Sequence, residues 1–386
     1  MKHLIPLLLL TLSHFDPIQA QHSPVSWPDA TWPISSPAAE GMNADTLAAI
    51  HADIQAGHYG LMDHFLLIRH GRVVADHHYA HHYPAAALKD TTCHAYNYDH
   101  PQWHPFYNGT ALHSLQSVTK SVTSAALGLA VHRGLIGDMD APVMHQFSGI
   151  PQDWSDSRRG AVTLKDLLTM RSGIAWDEGH YDNAKNSCVL METSEAWLPF
   201  VLRQSMSHTP GTHFNYNSGV SVLLGKRLRL ATGQRIDSWA DKHLFKPLGI
   251  RHYYWKITPD GEADTEGGLY LAPHDLARIG YLFLRRGLWQ GERILSEAWI
   301  EASTTPWVKD TSPDDARSQT GYGYQWWMPF PHAQDIYAAM GYGGQYLVAS
   351  PRHDLVLVIN AWNIHGESKR DALQILTQRI LPALHD

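Results

Sequence analysis

The 386-residue sequence contains only two cysteines and few charged residues. Charged side chains make up 17% of the chain and hydrophobic ones 44%, which excludes a disordered chain, because such chains combine low hydrophobicity with high net charge. Lys and Arg number 30 against 37 Asp and Glu, so the chain lacks the basic excess typical of nucleic-acid binding proteins. We therefore expect a globular protein with two or three folding units and no nucleic-acid partner.

The two cysteines, Cys93 and Cys188, leave two interpretations open. In an oxidising compartment they could form one disulfide, but spacing in the sequence does not show that the two sulfur atoms come within bonding distance. The alternative is two separate buried thiols. Two cysteines are in any case too few for a zinc site built from cysteine ligands.

Residues 1–20 have the pattern of a secretory signal peptide. Lys2 and His3 form a short basic start, and the apolar run Leu4–Leu12 is too short to span a bilayer. Ala20 ends a segment that resembles a signal-peptidase cleavage site, so Gln21 would begin the mature chain. No later stretch is apolar enough to cross a membrane, and we expect an exported protein, periplasmic in a Gram-negative host.

Predicted strands lie at both ends of the sequence and predicted helices in its middle. Strands are expected at 65–69, 72–75, 323–327, 336–338, 346–349 and 355–359, and helices at 44–56, 117–133, 163–170, 220–232, 236–248, 276–286 and 369–384. The fold class is therefore α+β: an antiparallel sheet built from both termini and flanked by helices, with an inserted, mostly helical domain. We expect the sheet domain in 21–112 and 265–386, the helical domain in 113–264, and the active site in the cleft between them.

Histidine is abundant, with 27 residues, and four histidines follow the first predicted hairpin: His77, His78, His81 and His82. Paired histidines at the polar end of a strand are usually solvated. Metal binding by this group is the alternative. No H-E-x-x-H pattern occurs, which argues against a zinc metallohydrolase, and we expect no metal in the active site.

The segment Ser117–Lys120 places a hydroxyl and an amine three residues apart on a predicted helix. Residues i and i+3 share a helix face, so the two groups should be neighbours. Burial of the helix should lower the pKa of Lys120, and a neutral amine could take the proton of Ser117 and create a nucleophile. The free N–H groups at the helix start could hold an oxyanion. The same spacing also arises by chance.

Two further segments carry groups suited to the same chemistry. Tyr216 lies on a predicted turn before a helix, where its phenol could relay a proton, and a cation such as Lys120 would favour the phenolate. Alternatively, Tyr216 is a core tyrosine. In 340–345, glycines at Gly341 and Gly343 suggest close approach of the backbone to substrate, with the Tyr342 N–H as a second oxyanion donor. A simple bulge or tight turn is the alternative.

Together these segments resemble the serine β-lactamase and penicillin-binding-protein superfamily, in its class C-like and esterase branch. Residues 115–124 are similar to the nucleophile helix of that family, 167–173 to its LLTMxSG segment, 210–219 to its PGxxFxYxxxG stretch, and 267–278 to the segment after the site. The resemblance implies that Ser117 is acylated, that Lys120 is its base and that Tyr216 relays a proton to the leaving group. It also implies an oxyanion hole from the Ser117 and Tyr342 amides, and no cofactor.

Two departures from the β-lactamase pattern bear on the substrate. Ser218 stands where these enzymes usually carry the Asn of Tyr-x-Asn, and the stretch ending at Gly341 lacks the cation of Lys-Thr-Gly that would bind a substrate carboxylate. Esterases and 6-aminohexanoate-oligomer hydrolases share these features. We expect substrate contacts from Ser218, Gly341, Gly343 and, in a segment that covers the site in such relatives, Tyr181, although a surface aromatic is the alternative there.

The sequence therefore predicts a serine hydrolase that forms an acyl-enzyme on a small ester or amide. A β-lactamase or D,D-peptidase is one alternative. A non-catalytic protein that binds glycans or peptidoglycan through its 14 tryptophans is another. The oligomeric state is not predicted.

Overall fold

A computed structural model describes residues 25–81, 112–179, 181, 183, 185–312, 320–333, 335–364 and 368–385. Its larger sheet has seven strands, each antiparallel to its neighbours. In chain order, the seven are β1 (Met62–Arg69), β2 (Arg72–His78), β8 (Gly321–Tyr322), β9 (Trp327–Met328), β10 (Tyr337–Gly341), β11 (Gln345–Ser350) and β12 (Leu355–Ala361). Their spatial order is β2-β1-β12-β11-β10-β9-β8, so strands from both ends of the chain meet at β1 and β12, which confirms the predicted α+β class.

Two small sheets complete the β-structure of the described residues. One contains β3 (His113–Ser114), β4 (Tyr253–Trp255) and β5 (Leu269–Leu271), in the order β3-β5-β4. The other pairs β6 (Leu288–Trp289) with β7 (Glu292–Arg293). The first matters for the site, because β3 ends shortly before Ser117 and β5 begins shortly after Glu266.

The helices occupy mainly the middle of the chain, as predicted. They are α1 (Ala44–Gln55), α2 (Val118–His132), α3 (Leu164–Leu168), α4 (Ser187–Glu192), α5 (Trp197–Arg203), α6 (Ser218–Thr232), α7 (Ile236–Ala240), α8 (Lys246–Leu248), α9 (Pro273–Leu284) and α10 (Glu297–Thr304). The expected cap at Thr163 is present: its side chain accepts from the Asp166 N–H, and the Asp166 carboxylate accepts from the Thr163 N–H.

The core has one apolar cluster on each face of the large sheet. The larger cluster joins α2, α6 and α9 to one face, and the smaller one lies between the other face, α1 and the C-terminal residues. All seven residues of β12 are buried, because both faces of this central strand are covered. Burial of a side chain such as Leu357 contributes about 1.5–3 kcal/mol.

Three sequence expectations differ from the structure. Most of the predicted strand at 323–327 is a turn, because Gln325 adopts a left-handed φ of 62°, and β9 begins only at Trp327. The closing helix begins only at residue 374 and includes a π-helical turn, Leu376–Ile380. The helix expected at 236–248 is divided by a second π-helical turn, Asp241–Phe245.

Several expectations lie outside the described residues. These are the signal peptide at 1–20, Cys93 and His82. Cys188 is described and buried in α4, but the question of its pairing with Cys93 stays open. Every helix in the described ranges is too short or too polar to cross a bilayer.

Candidate active site

The side chains of Ser117 and Lys120 meet at the start of α2, as their spacing predicts. Lys120 Nζ lies 2.9 Å from Ser117 Oγ. Ser117 is the N-cap residue, but its hydroxyl does not cap the helix and so remains available to the lysine. The preceding residue, Gln116, has a left-handed φ of 49°, which places Ser117 at a sharp turn into the helix.

Helix α2 holds these groups rigidly, because its residues from Val118 to Ala130 are all buried. Polar residues on the helix bond to neighbouring segments. Thr119 Oγ1 accepts from the Leu269 N–H at 3.2 Å, and Thr123 Oγ1 donates to the Thr265 carbonyl at 3.0 Å. These bonds fix α2 against the segment that contains Glu266.

Glu266 provides two acceptors for the ammonium of Lys120. Lys120 Nζ donates to the Glu266 backbone carbonyl at 2.8 Å and to its carboxylate Oε2 at 3.1 Å. Both side chains are almost fully buried. The turn that carries Glu266 is held by Asp264, whose Oδ1 accepts from the backbone N–H groups of Glu266 and Gly267, each at 3.1 Å.

The expected neutral amine at Lys120 is wrong for the free protein. Burial lowers the pKa of Lys120, as the sequence predicts, but the electrostatic influence of Tyr216, Glu266 and Glu178 raises it. The resulting pKa lies well above the ordinary value, so Lys120 is an ammonium. Glu266 lies 146 residues from Lys120 along the chain, so nothing in the local sequence indicates that its carboxylate reaches the lysine.

Tyr216 lies in the same cluster, which confirms that the three predicted groups come together. Its ring centroid is 5.2 Å from Lys120 Nζ, and both Ser117 and Lys120 are near enough to lower the pKa of its phenol. Burial nevertheless raises the pKa of Tyr216 by more than Lys120 lowers it. The expected shift toward the phenolate is therefore outweighed in the free protein, and the phenol keeps its proton.

The LLTMxSG-like segment supports the turn that carries Tyr216. The Asn215 N–H donates to the Met170 carbonyl at 2.8 Å, and Asn215 Nδ2 donates to the Trp176 carbonyl at 3.0 Å. Gly173 has a φ of 74°, and a Cβ there would lie 2.2 Å from the His208 carbonyl oxygen. Only glycine fits at that position, which explains the residue at the end of the motif.

The glycine-rich segment, which begins at the end of β10, lies against the residues before Ser117. A Cβ on Gly341 would lie 2.4 Å from the Leu115 carbonyl oxygen and 3.1 Å from Gln116 Cβ. The strand therefore contacts the two residues before Ser117, and Tyr342 follows directly. Gly343 lies in the turn between β10 and β11 and has a φ of 79°, which favours glycine. A Cβ at this position would also lie close to Ile364.

Glu178 accepts hydrogen bonds from three residues near Tyr216. Its Oε1 accepts from the Ser218 hydroxyl and the Tyr181 phenol, each at 2.6 Å. Its Oε2 accepts from the Ser218 N–H at 2.8 Å and from Trp176 Nε1 at 2.6 Å. The expected contact of Ser218 with substrate is not supported, because Ser218 is fully buried and its hydroxyl is used by Glu178.

Tyr181 packs against its neighbours and is not an isolated surface aromatic. Its ring lies 5.0 Å from that of Tyr342, and its side chain packs partly against the core. Tyr342 itself is 40% exposed, and its hydroxyl donates to the Ile364 carbonyl at 3.0 Å. The two rings therefore lie together beside Glu178, which lines the cleft, and contact of Tyr181 with substrate stays a prediction.

A cleft of about 630 Å³ opens at Tyr216. Phe214, Trp176 and Trp327 give it aromatic walls, and Asp177 and Glu178 also line it. Lys and Arg are absent from its described lining, so these walls offer no cation to a substrate carboxylate. The Trp327 ring lies 5.6 Å from that of Tyr216. Tyr216 therefore connects the cleft to Ser117 and Lys120, and these three residues are called the Ser–Lys–Tyr group below.

A group of potential metal ligands lies beneath Lys120, but it does not suit a metal ion. Ligand atoms of Cys188, Glu192 and Glu266 are within 4.8 Å of one another, and all three residues are buried. Lys120 already pairs with Glu266, and burial raises the pKa of Cys188, so its thiol keeps its proton. A metal ligand would have to be the thiolate.

Comparison with known proteins agrees with this arrangement. The family profile described as Beta-lactamase matches residues 60–378. The chain belongs to the beta-lactamase family. This confirms the resemblance inferred from the sequence and makes the chain a member of a hydrolase family of the serine β-lactamase fold.

Two curated relatives in this family are hydrolases. A 6-aminohexanoate-dimer hydrolase of Paenarthrobacter ureafaciens is 25% identical over 266 residues, and the match covers 65% of this chain. An N-acetylmuramyl-L-alanine amidase of Bacillus subtilis is 20% identical over 293 residues, covering 64% of this chain. The match spans 66% of each relative's own length.

Solved structures share the fold over most of the chain. EstCE1, a hydrolase with promiscuous acyltransferase activity, superposes with a TM-score of 0.65 at 15% identity, covering 88% of this chain and 98% of the other. A family VIII carboxylesterase superposes with a TM-score of 0.61 at 15% identity, covering 85% and 92%. At these identities the likeness is one of fold.

Proposed function

We propose that the protein is a serine hydrolase that forms an acyl-enzyme on small ester or amide substrates. The observation that carries this proposal is the contact of Lys120 Nζ with Ser117 Oγ at 2.9 Å, with the Tyr216 ring centroid 5.2 Å from the same nitrogen. A hydroxyl that contacts an amine, with a phenol beside them to exchange protons, is the arrangement that nucleophilic catalysis needs.

The first chemical step is attack by Ser117 Oγ on the carbonyl carbon. Lys120 is an ammonium in the free protein and Tyr216 a phenol, so one proton must leave this pair before it can accept the proton of Ser117. We assign the base to the Lys120–Tyr216 pair: Tyr216 takes the proton, and the Lys120 ammonium offsets the charge of the phenolate. Lys120 thus acts as the cation beside the base rather than as the base itself.

The later steps use the same groups. The backbone N–H groups of Ser117 and Tyr342 would donate to the oxyanion that forms on the carbonyl oxygen. As the intermediate collapses, Tyr216 gives the proton to the departing alcohol or amine, and an acyl ester on Ser117 remains. Water then attacks this ester, the pair again accepts a proton, and Ser117 is restored as the acid leaves.

The cleft favours neutral, partly apolar substrates. Its walls carry aromatic rings from Phe214, Trp176 and Trp327, and two carboxylates, with no cation among the lining residues described. A substrate carboxylate would find no cation among these described residues and would lie near Asp177 and Glu178. A small uncharged ester or amide therefore fits better than a β-lactam or a peptide with a free C-terminal carboxylate.

The test is hydrolysis of p-nitrophenyl butyrate by the wild type and by Ser117→Ala. We expect the variant to lose at least about 1000-fold in kcat, since removing the nucleophile removes the covalent route. Ser124→Ala is the matched control, because Ser124 lies on the same buried helix and its hydroxyl has no hydrogen-bond partner. Unchanged turnover in Ser117→Ala would refute the proposal.

Labelling separates the proposal from its alternatives. A fluorophosphonate should attach to the peptide that contains Ser117, and mass spectrometry would identify that peptide. No labelling and no ester hydrolysis would favour a non-catalytic binding protein. Turnover of nitrocefin faster than of the ester, or stable labelling by a fluorescent penicillin, would favour a β-lactamase or a D,D-peptidase.

A further inference from the structure

We propose that His64, Asp76 and His274 form a binding site for a divalent transition-metal ion of the zinc class. The three residues lie on β1, on β2 and in the first turn of α9. None of them belongs to the Ser–Lys–Tyr group, and the proposal does not depend on the hydrolase activity. It concerns a site on the edge hairpin of the large sheet.

The donor atoms of the three side chains already converge. His64 Nε2 lies 2.7 Å from Asp76 Oδ1, and His274 Nε2 lies 2.9 Å from Asp76 Oδ2. The three ligand atoms are all within 4.8 Å of one another. Ligand atoms around a tetrahedral zinc ion, at bond lengths of about 2.0–2.2 Å, are separated by about 3.3–3.6 Å. Small rotations of the imidazole rings are therefore enough to place one ion between the three.

The fold dictates this convergence. In the β1–β2 hairpin, His64 is opposite His78, and Leu66 is opposite Asp76. Alternate residues of a strand share a face, so His64, Asp76 and His78 project from one side of the hairpin. His274, which is 198 residues after Asp76 in the sequence, lies in the first turn of α9 and contacts Asp76.

The chemistry of the donors suits zinc, copper or nickel rather than calcium or magnesium. Two imidazole nitrogens and one carboxylate are borderline ligands, whereas calcium and magnesium prefer oxygen-only sites. An ion that enters would replace the hydrogen atoms now shared between the imidazoles and this carboxylate.

Solvent reaches the group, so an ion can enter and water can complete its coordination. The side chain of His64 is 13% exposed, that of Asp76 38% and that of His274 39%. The His78 ring centroid lies 6.0 Å from that of His64, close enough for His78 to provide a fourth ligand.

The other histidines near the hairpin are arranged differently. His77 points to the opposite face and stacks on His51 at 4.1 Å. His81 Nε2 lies 2.8 Å from the Met62 carbonyl oxygen. The site is therefore not the run of neighbouring histidines that stands out in the sequence, and among the described histidines of that run His78 is the one that lies near it.

The test is a zinc titration of the full chain after dialysis against EDTA, monitored by competition with a chromophoric chelator. We expect the wild type to bind one equivalent more than the double variant His64→Asn/His274→Asn. Cobalt(II) should give the visible absorption of a four-coordinate ion in the wild type and lose it in the variant. Zinc should also raise the Tm of the wild type, because the ion joins the hairpin to α9.

The matched control is His208→Asn, which removes one ring of an exposed histidine pair stacked at 4.1 Å with no carboxylate between the rings. This variant should bind as much zinc as the wild type. If the double variant does not fold, His274→Asn alone, at a position 39% exposed, replaces it and should lower the affinity at least 10-fold. Equal zinc binding by the wild type and the His64 and His274 variants would overturn the proposal and leave a hydrogen-bonded His–Asp–His group.

Discussion

The ammonium of Lys120 lies 3.1 Å from a carboxylate oxygen of Glu266, and both side chains are almost fully buried. This pair decides the protonation state from which the proposed reaction would start. A lysine beside a serine suggests a neutral amine, but the carboxylate holds it as an ammonium. Glu266 is therefore the residue that we expect to set the pH dependence of the enzyme.

Replacing Glu266 by Gln should shift the pH profile of activity toward acid. The carboxylate raises the pKa of Lys120, so its removal lets the Lys120–Tyr216 pair lose a proton at lower pH. A charge at this distance shifts a pKa by about 1–3 units, and the rise of kcat/KM with pH should move down by that amount. The measurement is kcat/KM for p-nitrophenyl butyrate between pH 5 and 10.

Glu262→Gln is the control for this experiment. Glu262 is also buried and paired, accepting from Lys226 at 2.9 Å and Arg229 at 3.0 Å, but it does not contact Lys120. Its replacement should leave the profile where it is. A rise that stays in place in Glu266→Gln, or moves to higher pH, would show that Glu266 does not control the pair.

Glu178 should stabilise the fold through hydrogen bonds rather than through its charge. Glu178→Ala removes the acceptor of the buried Ser218 N–H and of Trp176 Nε1, which should lower the free energy of unfolding by about 1–3 kcal/mol. Glu178→Gln can keep all four bonds, because the amide oxygen can accept these two while its NH₂ donates to the hydroxyls of Tyr181 and Ser218. In urea unfolding, the free energy of unfolding of Glu178→Gln should therefore be close to that of the wild type, and that of Glu178→Ala well below it. Equal losses in both variants would mean that the charge matters.

Local spacing was enough to predict one half of the site. Ser117 and Lys120 are one helical turn apart, so their contact follows from helix geometry alone. The hairpin β1–β2 and the cap at Thr163 were predictable for the same reason, since each depends on residues close together in the chain. The meeting of Tyr216 with this pair followed from the family resemblance and is confirmed by the coordinates.

The other half depends on contacts between distant segments. Nothing near Glu266 in the sequence shows that its carboxylate points at Lys120, and Glu178 gives no sign that it has four donors around it. The failed strand at 323–327 has the same origin. Its aromatic residues favour a strand, but Gln325 donates its N–H to the Leu168 carbonyl and accepts from the Ser221 hydroxyl. These tertiary bonds hold a left-handed φ that propensity does not predict.

Asp264 should make the stability of the protein depend on pH near neutrality. Burial and the nearby Glu266 raise the pKa of Asp264 from 3.8 to about 7, although Lys256 lowers it. The folded protein thus keeps a proton that the unfolded chain loses above pH 3.8. The stability that this proton gives is complete below that pH and is lost as the pH rises to about 7.

The test compares the wild type with Asp264→Asn. Asn keeps the oxygen that accepts from the Glu266 and Gly267 N–H groups and never ionises. The free energy of unfolding of Asp264→Asn, relative to the wild type, should therefore increase between pH 4.5 and pH 8. A constant difference over this range would show that Asp264 does not titrate there.

Gly341→Ala should reduce activity with a smaller effect on folding. Its new Cβ would lie 2.4 Å from the Leu115 carbonyl oxygen, so β10 must move away from the segment that leads into Ser117. The Tyr342 N–H, one residue on, would then lose its alignment with the oxyanion. Loss of one such donor costs about 10²–10³-fold in kcat.

Gly137→Ala is the control, because nothing lies within 4 Å of its Cβ position. Steady-state kinetics should show the loss in kcat for Gly341→Ala and not for Gly137→Ala. If Gly341→Ala keeps the wild-type kcat, displacement of β10 does not affect the reaction, and the Tyr342 N–H is not an oxyanion donor.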